Sequence, residues 1–306
     1  MTSHQRRVLV VTHTGRAAAG EVAAAFVQRI RSAGIRSRVL DEEAGYLKTH
    51  GIDDVETCPA DAEAATDCEL VVVFGGDGTI LRGTELARYA RTPLLGVNLG
   101  HVGFLAESDV DDLDITVDHV VGRKYTVEER LSLDVDILVD GNVVASTWAL
   151  NEAAVEKAAR ERMLEVVAGV DGLPLSRWGC DGVVCATPTG STAYSFSAGG
   201  PIVWPDVEAL VMVPISAHAL FARPMVVSPD STLAIEVLAG TLGSGVLWCD
   251  GRRTFELPPG ARVEVRRGRH PVRLARLHRA TFTDRLVRKF DLPVSGWRGR
   301  RAREMS

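Results

Sequence analysis

The sequence predicts two blocks of different class, a parallel α/β domain over residues 1–125 and a β-rich domain over residues 126–279. Two observations carry this. Before residue 126, short β-branched runs alternate with stretches of helical spacing, as βαβ units require. After it, apolar and polar residues alternate one for one, Asp-Gly pairs punctuate the runs, and helical periodicity fades. The 306 residues suffice for one large domain or two ordinary ones.

The elements follow in order. Arg7-Val-Leu-Val-Val-Thr12 reads as a strand. Residues 17 to 32 carry Val22, Ala25, Phe26 and Ile30 at helical spacing, and Gly34 ends that helix. Arg38 to Leu40 reads as a second strand. Glu69 to Phe74 is apolar almost throughout, as a strand covered on both faces must be. Ile80 to Tyr89 reads as a helix and Pro93 to Val97 as a strand. Leu131, Leu133, Val135, Ile137 and Val139 then alternate with other residues, and Asp140-Gly141 makes a hairpin turn, a signal that Asp171-Gly172 repeats. Near the end, Thr283-Asp284 caps a short helix that runs to Phe290 and stops before Pro293. No long linker separates the halves, so a cleft between packed domains is expected.

Hydrophobic residues make up 46% and charged residues 25%, the balance of a globular chain. A net charge of -5 argues against nucleic acid as the main partner. Five cysteines at 58, 68, 180, 185 and 249 form no CxxC pair and have no His cluster near them in sequence, so they read as reduced thiols of a cytoplasmic protein. The first apolar run is too short for a signal peptide or a membrane span. The arginine-rich end, GWRGRRAREMS, reads as a solvated tail.

FGGDGTILRG, residues 74–83, stands where a parallel sheet places its ligands, beyond the carboxyl end of a strand. Glycines there can take positive φ and let a ligand approach the main chain. Loop amides and the next helix N-terminus attract phosphate, which makes Gly75, Gly76, Gly78 and Thr79 a candidate cradle. The run is neither a Walker loop nor the GxGxxG fingerprint. Asp77 would repel a bare phosphate. It can hold a bridging cation, accept the proton of an attacking hydroxyl, or merely cap the turn. The first two uses point to phosphoryl transfer.

Two further stretches stand out. In ALNEAAVE, Asn151 and Glu152 adjoin within an apolar run, and a buried carboxylate beside an amide suits a sugar diol. A strand-end turn is the plainer reading. In GCDGVVCATPTGSTAYSFSAGGPIVWP, small hydroxyl residues crowd among glycines, and Tyr194 offers a ring for stacking on a base. No GxSxG and no basic partner activates a serine, so the stretch suits binding better than covalent catalysis.

GGDGT at 75–79, GVNLGHVGFL at 96–105, NE at 151–152 and GCDGVVCATPTGSTAYSFSAGGPI at 179–202, in this order, resemble the NAD kinases over residues 7–290. The resemblance implies a Rossmann-like α/β domain, a β-sandwich-like second domain, and a chain end (280–306) that returns to the first. It implies transfer of the terminal phosphoryl group of ATP, or of inorganic polyphosphate, to the 2′-hydroxyl of the adenosine ribose of NAD. Asp77 would accept the proton. Gly75, Gly76, Gly78, Thr79 and Arg82 would hold the donor, with a divalent cation, Mg2+ in the first instance. Asn151, Glu152, Gly78 and Phe104 would meet NAD, Asp181 its nicotinamide end, and Thr192, Ala193, Tyr194 and Ser197 its adenine. Arg162 would reach a phosphate or the substrate. A homodimer or homotetramer is implied.

Lipid kinases and 6-phosphofructokinases share GGDGT-like loops. No membrane-seeking surface and no basic grip for a sugar phosphate, Arg82 apart, is legible here. A non-catalytic dinucleotide sensor would keep the pocket without needing Asp77.

Overall fold

The computed structural model describes residues 5–13, 17–99, 103–106, 108–109, 113–159, 162–241, 243–277 and 281–294. The arginine-rich tail and residues 100–102 of the 96–105 stretch lie outside them. The chain divides into two compact units, Met1–Glu129 with Val272–Ser306, and Arg130–Pro271.

In the first unit, β1 (Arg7–Thr12), β2 (Arg36–Leu40), β3 (Glu56–Cys58), β4 (Leu70–Phe74) and β5 (Leu94–Asn98) lie in the order 3-2-1-4-5. They pair in parallel throughout. This is the doubly wound order. Its reversal falls between β1 and β4, whose carboxyl ends frame a crevice. Val272–Arg276 joins the sheet in parallel beside β5. Ser108–Asp109 and Thr126–Arg130 bring it to eight strands among the described residues.

All five residues of β4 are buried. Helix α1 (Ala17–Ser32) sets Ala23, Phe26, Val27 and Ile30 into a core shared with Val8, Val10, Val72 and Phe74. Each Val, Ile and Phe side chain among them contributes about 1.5–3 kcal/mol by leaving water. Gly34 takes φ +78° just past the helix end. Two helices of this unit went unread in the sequence. Helix α2 (Asp41–Thr49) buries only Glu43, Ala44 and Leu47, too few for a periodic stripe, and its start lacks a side-chain cap. Leu113–Val121 likewise buries only Thr116, Val117 and Val120. Helix α3 (Asp77–Ala87) begins at the loop aspartate, three residues before the apolar stripe shows.

The last helix, Phe282–Phe290, is capped at Thr281, two residues before the Thr283 that its sequence implied. The Thr281 side chain accepts the Asp284 N–H and the Asp284 carboxylate accepts the Thr281 N–H. Asp284 is therefore the third helical residue of a capping box rather than part of the cap.

The second unit is two facing antiparallel sheets, each six-stranded among the described residues. One runs Met225–Val227, Leu210–Ile215, Gly182–Ala186, Glu152–Lys157, Gly245–Cys249, Arg253–Leu257. The other runs Leu173–Cys180, Leu164–Val170, Leu233–Val237, Arg262–Arg267, Leu133–Val139, Asn142–Ala149. One apolar core holds Val135, Ile137, Val166 and Trp178 from the second sheet and Val155, Val183, Met212 and Leu247 from the first. Hairpin turns at Asp140-Gly141 and Asp171-Gly172 have both residues at positive φ, as two-residue hairpins require. The five cysteines are free thiols.

Candidate active site

The loop after β4 opens at the switch point. Gly76 caps α3 in an extended conformation (φ −84°, ψ −177°) with no side-chain cap, and Asp77 is the first helical residue. Its carboxylate turns away from its own helix. Oδ2 accepts the Phe104 N–H at 3.2 Å and Oδ1 the Leu105 N–H at 3.3 Å. A Cβ on Gly103 would stand 2.3 Å from Asp77 Oδ1, so any larger residue there would push the carboxylate aside. The turn-capping reading of Asp77 is thereby corrected: the aspartate joins two loops. Positive φ is not what the loop glycines supply either, since Gly75, Gly76 and Gly78 are absent from that region. Gly76 and Gly78 face open space, with nothing within 4 Å of an added Cβ. Thr79 is buried and packs on Gly75.

The segment that meets Asp77 is held from behind by the returning chain end. Arg285 donates to the carbonyls of Phe104 and Ala106, both at 3.0 Å. Arg276 donates to Leu105 O at 3.4 Å and to Glu128 at 2.8 Å. The Phe104 ring lies 6.0 Å from Phe282 and 5.9 Å from Phe290. Sequence reading missed Arg285, because nothing in a short amphipathic helix marks one arginine for a loop 181 residues away.

Arg82 points to acids. It donates to Glu43 at 3.0 Å and pairs with Glu42. Glu43 is buried and also accepts the Thr12 N–H at 2.9 Å, tying the end of β1, α2 and α3 together. Burial pushes its carboxyl up to about 7, against the pull of the Thr12 N–H and of Arg82.

In the second unit, Asn151 and Glu152 are both buried, at 8% and 7% exposure. Neighbours on one strand point to opposite faces, so two adjacent buried side chains call for a break in the strand. The break is there: Asn151 lies in a turn and the strand begins at Glu152. Glu152 Oε2 has no hydrogen-bond partner among the described residues. Burial first, then the nearby Asp250 carboxylate, pushes the Glu152 carboxyl up to about 8, while the Tyr194 main chain pulls the other way.

The turn wraps a residue that sequence reading missed. Asp250 accepts Leu150 N–H at 2.9 and 3.0 Å, Asn151 N–H at 2.7 Å and Glu152 N–H at 3.4 Å. Arg253 donates to Asp250 Oδ2 at 2.9 Å and lies over the Trp148 ring at 4.5 Å. The available signal was the Asp250-Gly251 pair, a third hairpin turn with both residues at positive φ.

The Thr- and Gly-rich stretch packs on the same turn. Thr187 Oγ1 donates to Leu150 O at 2.6 Å and Thr187 N–H to Asn151 O at 2.9 Å. A Cβ on Gly190 would fall 2.0 Å from Asn151 O, so only glycine fits. Ser191 Oγ bonds Pro188 O, Val203 O and the Val203 N–H, and Thr192 Oγ1 donates to Thr189 O at 3.3 Å. Several of the hydroxyls that looked like ligand donors therefore build the loop. Ala193, Tyr194 and Ser197 follow in and beside a short helix, with Tyr194 38% exposed. The Tyr194 hydroxyl rises to about 12 through burial, then its bond to Glu156.

Asp181 is paired with Lys157 at 2.5 Å, and this bond holds its carboxyl below the usual range. Arg162 is exposed. Among the described residues, no three His, Cys, Asp or Glu side chains gather as an ion site. Nor is any helix long and apolar enough to cross a membrane.

The predicted residues thus form two groups. Asp77, the loop glycines, Thr79, Arg82 and Phe104 belong to the α/β unit. Asn151, Glu152, Arg162, Asp181, Thr192, Ala193, Tyr194 and Ser197 belong to the β unit. A phosphate-type loop on a doubly wound sheet, followed by a β domain with a buried Asn-Glu turn, defines a nucleotide-dependent kinase class. Residues 8–125 match the ATP-NAD kinase N-terminal domain and residues 150–277 the ATP-NAD kinase C-terminal domain. The chain belongs to the ATP-NAD kinase family. It is 62% identical over 295 residues to NAD kinase 2 of Streptomyces coelicolor, covering 96% of this chain and 97% of that one. It is 59% identical over 303 residues to the NAD kinase of Thermobifida fusca, covering 97% and 93%. A NAD kinase from Archaeoglobus fulgidus, solved in complex with ATP, superposes with a TM-score of 0.63 at 26% identity, covering 88% and 92%. Yeast NADH kinase, solved with NADH, shares the fold with a TM-score of 0.87 at 24% identity, covering 96% and 90%.

Proposed function

We propose that this chain is a NAD kinase that moves the terminal phosphoryl group of ATP to the 2′-hydroxyl of the adenosine ribose of NAD, leaving ADP and NADP. The carrying observation is Asp77, held at the start of α3 by two main-chain N–H groups at 3.2 and 3.3 Å. Each carboxylate oxygen accepts one long bond and keeps acceptor capacity for a hydroxyl. As the ribose oxygen bonds to phosphorus and the bridging P–O bond breaks, the hydroxyl proton passes to Asp77, and the electron pair leaves on ADP. The donor phosphates lie along Gly75, Gly76, Gly78 and Thr79, where loop amides and the positive end of α3 face them. Arg82 reaches them by exchanging an acid partner for phosphate.

NAD takes its place against Asn151 and Glu152 through ribose hydroxyls. Those hydroxyls supply the donor that Glu152 Oε2 lacks. The adenine lies along Thr192, Ala193, Tyr194 and Ser197, the nicotinamide end near Asp181, with Gly78, Phe104 and Arg162 as further contacts. The chain supplies no clustered ion site of its own among the described residues. A divalent cation, Mg2+ in the first instance, accompanies the donor as Mg·ATP and neutralises phosphate charge. The same reading makes the protein a cytoplasmic homodimer or homotetramer, with inorganic polyphosphate as a second donor.

Purified protein with Mg2+ and a panel of ATP, other triphosphates and polyphosphate, run against NAD and NADH, tests this. NADP formed with ATP is the expected result. No NADP or NADPH from any pairing overturns it.

A further inference from the structure

We propose that Asp250 is a positioning residue for dinucleotide binding: its buried carboxylate is the template on which the Asn151-Glu152 turn is folded. The inference rests on the reading of that turn as part of the NAD site. The geometry is specific. Three successive main-chain N–H groups, those of Leu150, Asn151 and Glu152, converge on one carboxylate at 2.7 to 3.4 Å. Such a run of amides is a concave anion cradle, here filled from within the protein. The carboxylate side chain is only 2% exposed. Its second oxygen is fixed by Arg253 at 2.9 Å, and Arg253 is itself anchored on Trp148 O at 2.9 Å. The tie is reciprocal, because the Asp250 N–H donates to Glu152 O at 3.0 Å.

A simple structural acid would hold a turn wherever one occurs. This one holds the turn that aims Asn151 and Glu152, and it does so from a hairpin in which Asp250 and Gly251 sit at φ +54° and +64°. Nothing about closing that hairpin calls for a buried carboxylate. The consequence for binding is steric. Oδ1 accepts from the N–H groups of Leu150, Asn151 and Glu152, and Oδ2 from Leu150 N–H and Arg253, so an amide in either orientation sets an NH2 group against an N–H. The turn must then open, and the two side chains lose their registration while strand Glu152–Lys157 persists.

Asp250→Asn is the direct test, with Arg253→Gln as the second variant if the first is insoluble. Leu247→Ala, a fully buried change on the preceding strand, is the structural control. Steady-state kinetics and calorimetric titration of NAD are run on each. For Asp250→Asn the expected result is a KM and Kd for NAD raised about tenfold or more, equivalent to about 1.4 kcal/mol, with the KM for ATP within about twofold. Arg253→Gln moves the same constants in the same direction. The effect is not additive with Glu152→Gln, since both act through one turn. An unchanged NAD affinity in a folded Asp250→Asn protein overturns the proposal. So does an equal NAD shift in Leu247→Ala, which would assign the effect to stability alone. Wild-type protein that binds NAD but makes no NADP defeats the kinase reading and leaves the Asp250 titration decisive. Wild-type protein that does not bind NAD defeats both.

Discussion

Glu152→Gln gives a pH signature that a surface acid could not. The wild-type carboxyl rises from 4.5 to about 8 because burial, and then Asp250, oppose its charge. Between those values the folded state binds more protons than the unfolded one, so stability falls as pH rises. Integrating from about pH 5 to about pH 8 at about 1.36 kcal/mol per pH unit gives a loss of about 3–4 kcal/mol. Water entry and charge rearrangement reduce this, which makes it an upper figure. The glutamine variant keeps the shape and has no such loss. Scanning calorimetry of both proteins at the two pH values reads the difference, at about 2–4 °C per kcal/mol for a domain of this size. Relative to the wild type, the variant is expected to gain up to about 6–16 °C of Tm on going from the lower to the higher pH. An equal Tm gap at both pH values would refute the assignment of Glu152 as a buried, uncompensated acid. Added NAD narrows the gap if ribose hydroxyls satisfy the carboxylate.

Three other perturbations have defined outcomes. Gly103→Ala puts a methyl 2.3 Å from Asp77 Oδ1; turnover is expected to fall on the order of 100-fold with NAD titrating as in wild type, and a normal rate would mean the carboxylate position is immaterial. Gly190→Ala drives a Cβ to 2.0 Å from Asn151 O; overpacking of about 1–3 kcal/mol should lower the Tm, and an unchanged Tm would show that the loop yields freely. Arg82→Ala removes a cation that holds the Glu43 carboxyl down against burial. Its carboxyl then climbs further above about 7, and stability declines more steeply from near-neutral to alkaline pH than in wild type. Parallel Tm–pH curves for the two proteins would remove Glu43 from that role.

Much of this molecule was legible because its signals are local. The apolar run ending at Phe74, the helical spacing of Val22 to Ile30 and the Asp-Gly turns each report on a few neighbours. Helix α2 was not legible, since its buried face is one glutamate and two small stretches of apolar surface whose partners lie on α1, β2 and α3. The loop 75–79 announced itself by composition. The role of its glycines did not, because whether glycine is needed for φ or for space depends on what packs opposite. Asp77 meets Gly103 and Phe104, a contact no local pattern encodes. For Asn151-Glu152 the sequence offered a strand-end turn as the plainer reading, and that is where the pair lies, with the strand starting at Glu152; what the sequence did not show is the residue the turn folds on. Its folding on Asp250 spans 98 to 100 residues and leaves no periodic trace. In the same way, Thr187 and Ser191 looked like ligand donors by chemistry, and only packing reveals that their hydroxyls close the loop on itself.

The account turns on the carboxylate at the start of α3, and Asp77→Asn tests it most directly. The change keeps the shape of the side chain, and calorimetric titration checks that NAD still binds. With saturating NAD and Mg·ATP, kcat for NADP formation is expected to drop by a factor on the order of 100 to 10,000, with the Kd for NAD within about threefold of wild type. A variant that turns over at more than about a tenth of the wild-type rate would contradict the assignment of Asp77 as the group that takes the ribose proton.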